Sequence, residues 1–172
     1  MPDASTEIAG VEASSWLGIP RSELIHAVRT AVAAVASFLI ARLFRLPESY
    51  WAAITTMIVM QSTLGAAVAI SKQRFAGTAM GAAAGALLST YIGSNWVVFG
   101  LGLFALGVIC AVLGLERNAY RYAGITLTIV MLVAHTRSAW IVAIHRFFEI
   151  SVGILVGLAM TAAWPESGRR KS

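Results

Sequence analysis

The sequence predicts an all-α protein, a polytopic membrane bundle of about six transmembrane helices, and three observations carry that prediction. Only 12% of the residues are charged and 58% are hydrophobic, whereas about a quarter of a soluble domain is charged. Mean hydropathy is +0.77. No charged residue occurs between Arg74 and Glu116, and an uncharged stretch of that length crosses the roughly 30 Å hydrocarbon layer twice.

Arginines, prolines and glycine-polar breaks divide the apolar sequence into six segments. The first is expected over 22–44, with Ser22 as its N-cap and Arg42, Arg45 and Pro47 ending it. The second is read as 50–70, closed by a short loop carrying Lys72 and Arg74. The third, 75–92, is separated from the fourth, 96–115, only by Gly93-Ser94-Asn95, so these two form an antiparallel hairpin. The fifth spans about 120–134, and the sixth ends at Trp164-Pro165, with no helix breaker over 138–144 to prevent it from beginning early, near Ser138. A helix starting there is about 39 Å long, which would carry Arg146 and Glu149 below the membrane surface; a later start leaves them at it. The transmembrane domain is thus 22–165, preceded by a disordered cytoplasmic lead-in over 1–21 and followed by a basic cytoplasmic tail over 166–172. The lead-in has no basic start or apolar middle and does not read as a cleavable signal peptide.

Orientation follows from the basic residues on alternate loops. With the N-terminus cytoplasmic, the inner side holds Arg21, Arg29, Lys72, Arg74, Arg117, Arg121, Arg169, Arg170 and Lys171, and the outer side only Arg42, Arg45, Arg137 and Arg146. Both termini are therefore expected inside. Tyr50, Trp51, Tyr91, Trp96 and Trp140 would form an outer aromatic belt, with Tyr120, Tyr122 and Trp164 inside.

Two stripes of small residues indicate where helices touch. Gly77, Gly81, Gly85, Ser89 and Gly93 recur every fourth residue and share one helix face. Such faces let backbones approach closely where lipid supplies no hydrophobic drive, and a pore wall is the alternative use of the same face. Gly153, Gly157 and Thr161 continue a stripe that begins with Glu149. A carboxylate at that depth costs several kcal/mol facing lipid, so Glu149 is expected to face the bundle interior or water, satisfied by Arg146 or His145 at helical contact spacing or by a polar group of another helix. An Arg146–Glu149 pair serves structure or gating equally well.

Arg29 lies two turns into the first segment, where its side chain points back toward the helix start and can snorkel to the inner surface; Arg121 has the same option. His26 reads as interfacial. Gln61, Ser62 and Thr63 interrupt the second segment, which marks an interhelical hydrogen bond or a locally broken helix lining a cavity.

The charge of +5 is spread singly along the chain and points to lipid headgroups rather than nucleic acid. Cys110 is alone, so no intrachain disulfide or cysteine metal cluster forms. His26, His135 and His145 lack metal-ligand spacing, and no phosphate loop or nucleophile motif is present, so neither an enzyme nor a cofactor is expected.

The stretch Tyr50-Trp51-Ala52 through Val59, Gln61 and Gly65, then Lys72, Arg74, Gly77-Thr78 and Gly81, resembles the fusaric acid resistance (FUSC) or aromatic acid exporter superfamily. Arg146-Phe147-Phe148-Glu149, Gly153 and Trp164-Pro165 resemble that family's last helix. The resemblance implies an inner-membrane six-helix domain exporting small organic anions such as aromatic carboxylates. The chain departs from larger members in lacking a second six-helix half and a large cytoplasmic domain, which implies a homodimer or higher homo-oligomer. The alternative is a non-transporting module that assembles with a larger efflux or envelope complex. An anion path needs positive charge, which Arg29, Lys72, Arg74, Arg121 and Arg146 could supply; with the polar break at Gln61 and the inward acid Glu149, they are the candidate pathway residues. Gly77, Gly81, Gly85, Gly153 and Gly157 are the candidate packing residues.

Overall fold

Six helices and no strands make up the described residues, 21–61, 63–133 and 138–164 of a computed structural model. They are α1 (Arg21–Leu43), α2 (Tyr50–Val59), α3 (Leu64–Tyr91), α4 (Trp96–Val112), α5 (Arg117–Leu132) and α6 (Ala139–Ala163). The lead-in before Arg21, Ser62, His135, Arg137, Pro165 and the basic tail lie outside the described residues.

The largest departure from the sequence reading is at the second and third segments. α2 has 10 residues and α3 has 28, or about 15 and 42 Å. The polar cluster breaks the chain: Met60 is extended, and Thr63 caps α3 by accepting from Ala66 N at 3.3 Å. Lys72 and Arg74 therefore sit inside α3, not in a loop between two spans. Single cations in apolar sequence normally mark helix ends; here Arg74 is retained mid-helix because partners from two other helices await it. Ser22 also lies within α1 rather than capping it.

Other ends follow local rules. Asn95 caps α4 by accepting from Val97 N and Val98 N at 3.0 and 2.9 Å, leaving a short α3–α4 connection. α1 closes with Leu46 N donating to Ala41 O at 3.1 Å while Arg45 adopts a left-handed φ of 55°.

Small residues decide which helices meet. A Cβ added at Gly77 would strike the Ala119 carbonyl, and one at Gly81 the Ala123 carbonyl, while Gly85 faces Val130. The rising numbers on both sides show that α3 and α5 run parallel. A Cβ at Gly153 would strike the Ala52 carbonyl, and Gly157 faces Val59 and Thr56, so α2 and α6 are parallel as well. Antiparallel α3–α6 packing joins the two pairs through Ala82, Ala86, Val142 and Ala143. α4 flanks α5 through Leu106, Leu127 and their neighbours.

The outer surface is apolar. Leu24, Val28, Val32, Val35 and Leu39 of α1 and Trp96, Leu101, Phe104 and Val112 of α4 all face outward, a continuous exposure that water would not tolerate. α1 from Glu23 and α6 are each long and apolar enough to cross a membrane. The molecule is an all-α membrane helix bundle.

Candidate functional site: buried arginines around a short helix

α2 is the hub. Its Thr55 and Thr56 hydroxyls donate back to Trp51 O and Ala52 O at 2.8 and 3.0 Å, and Thr56 also reaches Gly153 O on α6 at 3.0 Å. Three buried arginines, from α1, α3 and α6, meet α2 near its end, at its middle and at its start.

At the start, Arg146 is 3% exposed and ion-pairs with both Glu48 and Glu149, the latter at 3.2 Å. The second oxygen of Glu149 accepts from the backbone N–H of Glu48 at 2.8 Å. Arg146 also stacks 4.6 Å over the Trp51 ring. Glu48 accepts from Tyr50 Oη at 2.5 Å and Trp51 Nε1 at 3.2 Å. Burial raises the Glu48 carboxyl, but hydrogen bonds from Tyr50 and Arg146, the Arg146 charge and Trp51 outweigh it and hold the group below its ordinary 4.5. Glu149, 1% exposed, is thus satisfied by its own helix and by the α1–α2 link; His145 is not its partner among the described contacts.

At the middle, Arg74 is 3% exposed. Its Nε and Nη2 donate to Thr55 Oγ1 at 3.2 and 3.0 Å, and its guanidinium lies 4.9 Å over the Tyr122 ring. It forms no ion pair with a described carboxylate. A hydroxyl and a π face solvate part of the cation but leave its charge uncompensated, a costly state in a low-dielectric interior. Tyr122 accordingly faces Arg74 rather than serving only as an interfacial ring.

At the far end, Arg29 is fully buried and does not snorkel. Nη1 donates to Trp164 O at 2.5 Å and Nη2 to Gln61 O at 2.9 Å. Those carbonyls lie just beyond the C-termini of α6 and α2, where helix geometry leaves acceptors unsatisfied and the dipole favours a cation. Arg29 thus ties two parallel helix ends to the start of α1, and it places the start of α1 and the end of α6 at one end of the bundle.

Of the other pathway candidates, Gln61 supplies that carbonyl, while Lys72 and Arg121 are exposed and stand apart from the buried set. Sequence reasoning missed Glu48, Thr55 and the inward role of Trp51. Glu48 follows Pro47 in a link and looks like an ordinary surface acid; the Trp-Ala opening of α2 was the available signal, read as an interfacial belt. Three grooves formed by described residues open on the outside of the bundle, and Arg74, Arg146 and Glu149 line none of these.

The described residues form a helical membrane bundle with arginines buried in its interior, a rare arrangement that marks a candidate functional site. Residues 33–160 match the fusaric acid resistance protein-like family, and the chain belongs to it. Inner membrane protein YeeA of Escherichia coli K12 is 27% identical over 145 residues, covering 83% of this chain and 41% of that protein. The uncharacterized transporter YdhK is 28% identical in E. coli K12 and 25% in Salmonella typhimurium LT2, in each case covering 88% of this chain and 24% of the relative. The chain therefore spans well under half the length of these relatives. Family and relative support an inner-membrane location. No solved structure matches the chain.

Proposed function

We propose that this chain is a transporter or channel subunit that exports small organic anions, aromatic carboxylates among them, as a homo-oligomer in the inner membrane with both termini cytoplasmic. The observation that carries the reading is Arg74. A scaffold has no use for a buried guanidinium without a carboxylate, whereas an anion path needs positive charge that a passing ligand can neutralise. Tyr122 adds an aromatic face beside that charge. The family membership and the relatives named as transporters favour transport over catalysis. Because Arg74 is almost wholly buried, anion access requires movement, and the unwound residues at the end of α2 are the natural hinge.

Efflux of labelled aromatic and aliphatic carboxylates from vesicles containing only this protein tests the proposal. Saturable, anion-selective efflux is the expected result; vesicles no leakier than protein-free controls across the panel would overturn it. Crosslinking in the same vesicles tests the oligomer, and reporters fused after Arg45 and Ser172 test the orientation.

A further inference from the structure

At the Glu48 end of the bundle, a groove of about 340 Å³ lies between the last turns of α1 and the link to α2. It is lined by Phe38, Arg42, Arg45, Leu46, Pro47, Ser49 and Tyr50. Charge is segregated across the link. Glu48 turns to Arg146, while Arg42 and Arg45 line the groove and no acidic residue does. Neither arginine forms an ion pair with a described residue; Arg42 lies 5.8 Å over the Phe38 ring. Arg45 also occupies a left-handed turn position that glycine would fill with less strain.

We propose that this groove binds the phosphate of an anionic phospholipid. Two guanidiniums offer several donors in planar forks, the geometry that suits phosphate oxygens. A small free ion would leave the groove's apolar lining uncovered. That lining includes the apolar Phe38, Leu46 and Pro47 beside the two arginines. Beside it, Leu39, Leu43 and Phe44 are 57, 81 and 68% exposed along the outer side of α1's end. An amphiphile satisfies both features: its phosphate meets Arg42 and Arg45, and its acyl chains cover the neighbouring leucines and phenylalanine. The site is distinct from Arg74, and it does not depend on the transport reading.

Native mass spectrometry of the purified full chain with phosphatidylglycerol, phosphatidylcholine or inorganic phosphate is the test. The Arg42→Gln, Arg45→Gln double variant should lose phosphatidylglycerol affinity about ten- to thirtyfold, from roughly 1 kcal/mol per interfacial cation. Phosphatidylcholine should bind weakly to both proteins, and millimolar inorganic phosphate should not displace the anionic lipid. A matched Lys72→Gln, Arg121→Gln variant removes two exposed cations elsewhere and should bind like wild type. Unchanged lipid binding in the groove variant, or an equal loss in the matched variant, would overturn the site. Displacement by inorganic phosphate would overturn the lipid assignment. Should the double variant misfold, Arg42→Gln alone supplies the same comparison.

Discussion

Where α3 meets α5, Gly77 and Gly81 bring two backbones together, and the seam between them is apolar for most of its length. Where α2 meets α6, Gly153 and Gly157 make an equally close approach, yet that seam carries Thr55, Thr56 and Thr161 and is flanked by Arg74, Arg146 and Glu149. The same packing device therefore serves two ends. In the first seam Gly81 and Gly85 meet Ala123, Val130 and Leu127, so proximity there yields dispersion contacts and rigidity, and at its Gly77 end Tyr122 turns to Arg74. In the second, proximity is spent on holding polar groups out of lipid, and α2 stops after 10 residues, leaving the Gln61 carbonyl for Arg29. The α3–α5 seam is a frame; the α2–α6 seam is where buried polar and charged groups gather.

Ways to break this contrast begin with the ion cluster. Arg146→Ala would strand two carboxylates, one of them wholly buried, and should cost about 3–5 kcal/mol. Glu149→Ala should cost less, because Glu48 still pairs with Arg146. Thermal melts in detergent give the order, and a Glu149→Ala loss exceeding that of Arg146→Ala would remove Glu48 from the account.

Gly81→Leu attacks the frame directly. The new side chain meets the Ala123 backbone, which cannot rotate away, so a loss of about 3 kcal/mol is expected. Wild-type stability in that variant would dissolve the α3–α5 seam as a rigid element. Gly65→Leu, whose Cβ would meet nothing within 4 Å, provides the matched control.

Thr55→Val keeps the shape of α2 and deletes the oxygen that accepts from Arg74. Hydrogen bonds to charged groups contribute about 1.5–3 kcal/mol, so the melt should fall by that order. The Arg74→Gln, Thr55→Val double variant should recover part of the loss, and strictly additive losses would mean the two side chains act independently.

The smallest effect is on pH. The folded Glu48 carboxyl titrates below its ordinary 4.5, so its contribution is present above that value and is lost as pH falls through the folded value. Melting temperature should therefore decline on acidification below about pH 4.5, less steeply in Glu48→Gln. Parallel curves for the two proteins would show that the acid's partners do not hold its charge.

Much of the frame is visible in the sequence because its causes are local. Glycine spacing, the Gly93-Ser94-Asn95 turn and the uncharged run after Arg74 all mark helices and their faces without knowledge of neighbours. Which helix meets which face is not visible: nothing near Gly81 in the chain names Ala123. The polar seam hides for the same reason. Arg74 imitates a loop residue until Thr55 and Tyr122 are brought beside it, and Glu48 imitates a surface acid until Arg146 arrives from α6. Glu149 was legible as an inward residue because its cost in lipid is local, whereas its second partner is the backbone N–H of a residue in a distant link.

Arg74→Gln removes the unpaired buried cation itself, with flux and stability read on the same preparation. If Arg74 is a buried charge kept for anions, neutralising it removes a desolvation cost and should leave the melt unchanged or higher. Anion efflux should meanwhile fall by at least about tenfold, a barrier change near 1.4 kcal/mol. A variant that exports carboxylates at the wild-type rate would contradict the account, as would one that unfolds while Arg74→Lys restores stability without flux.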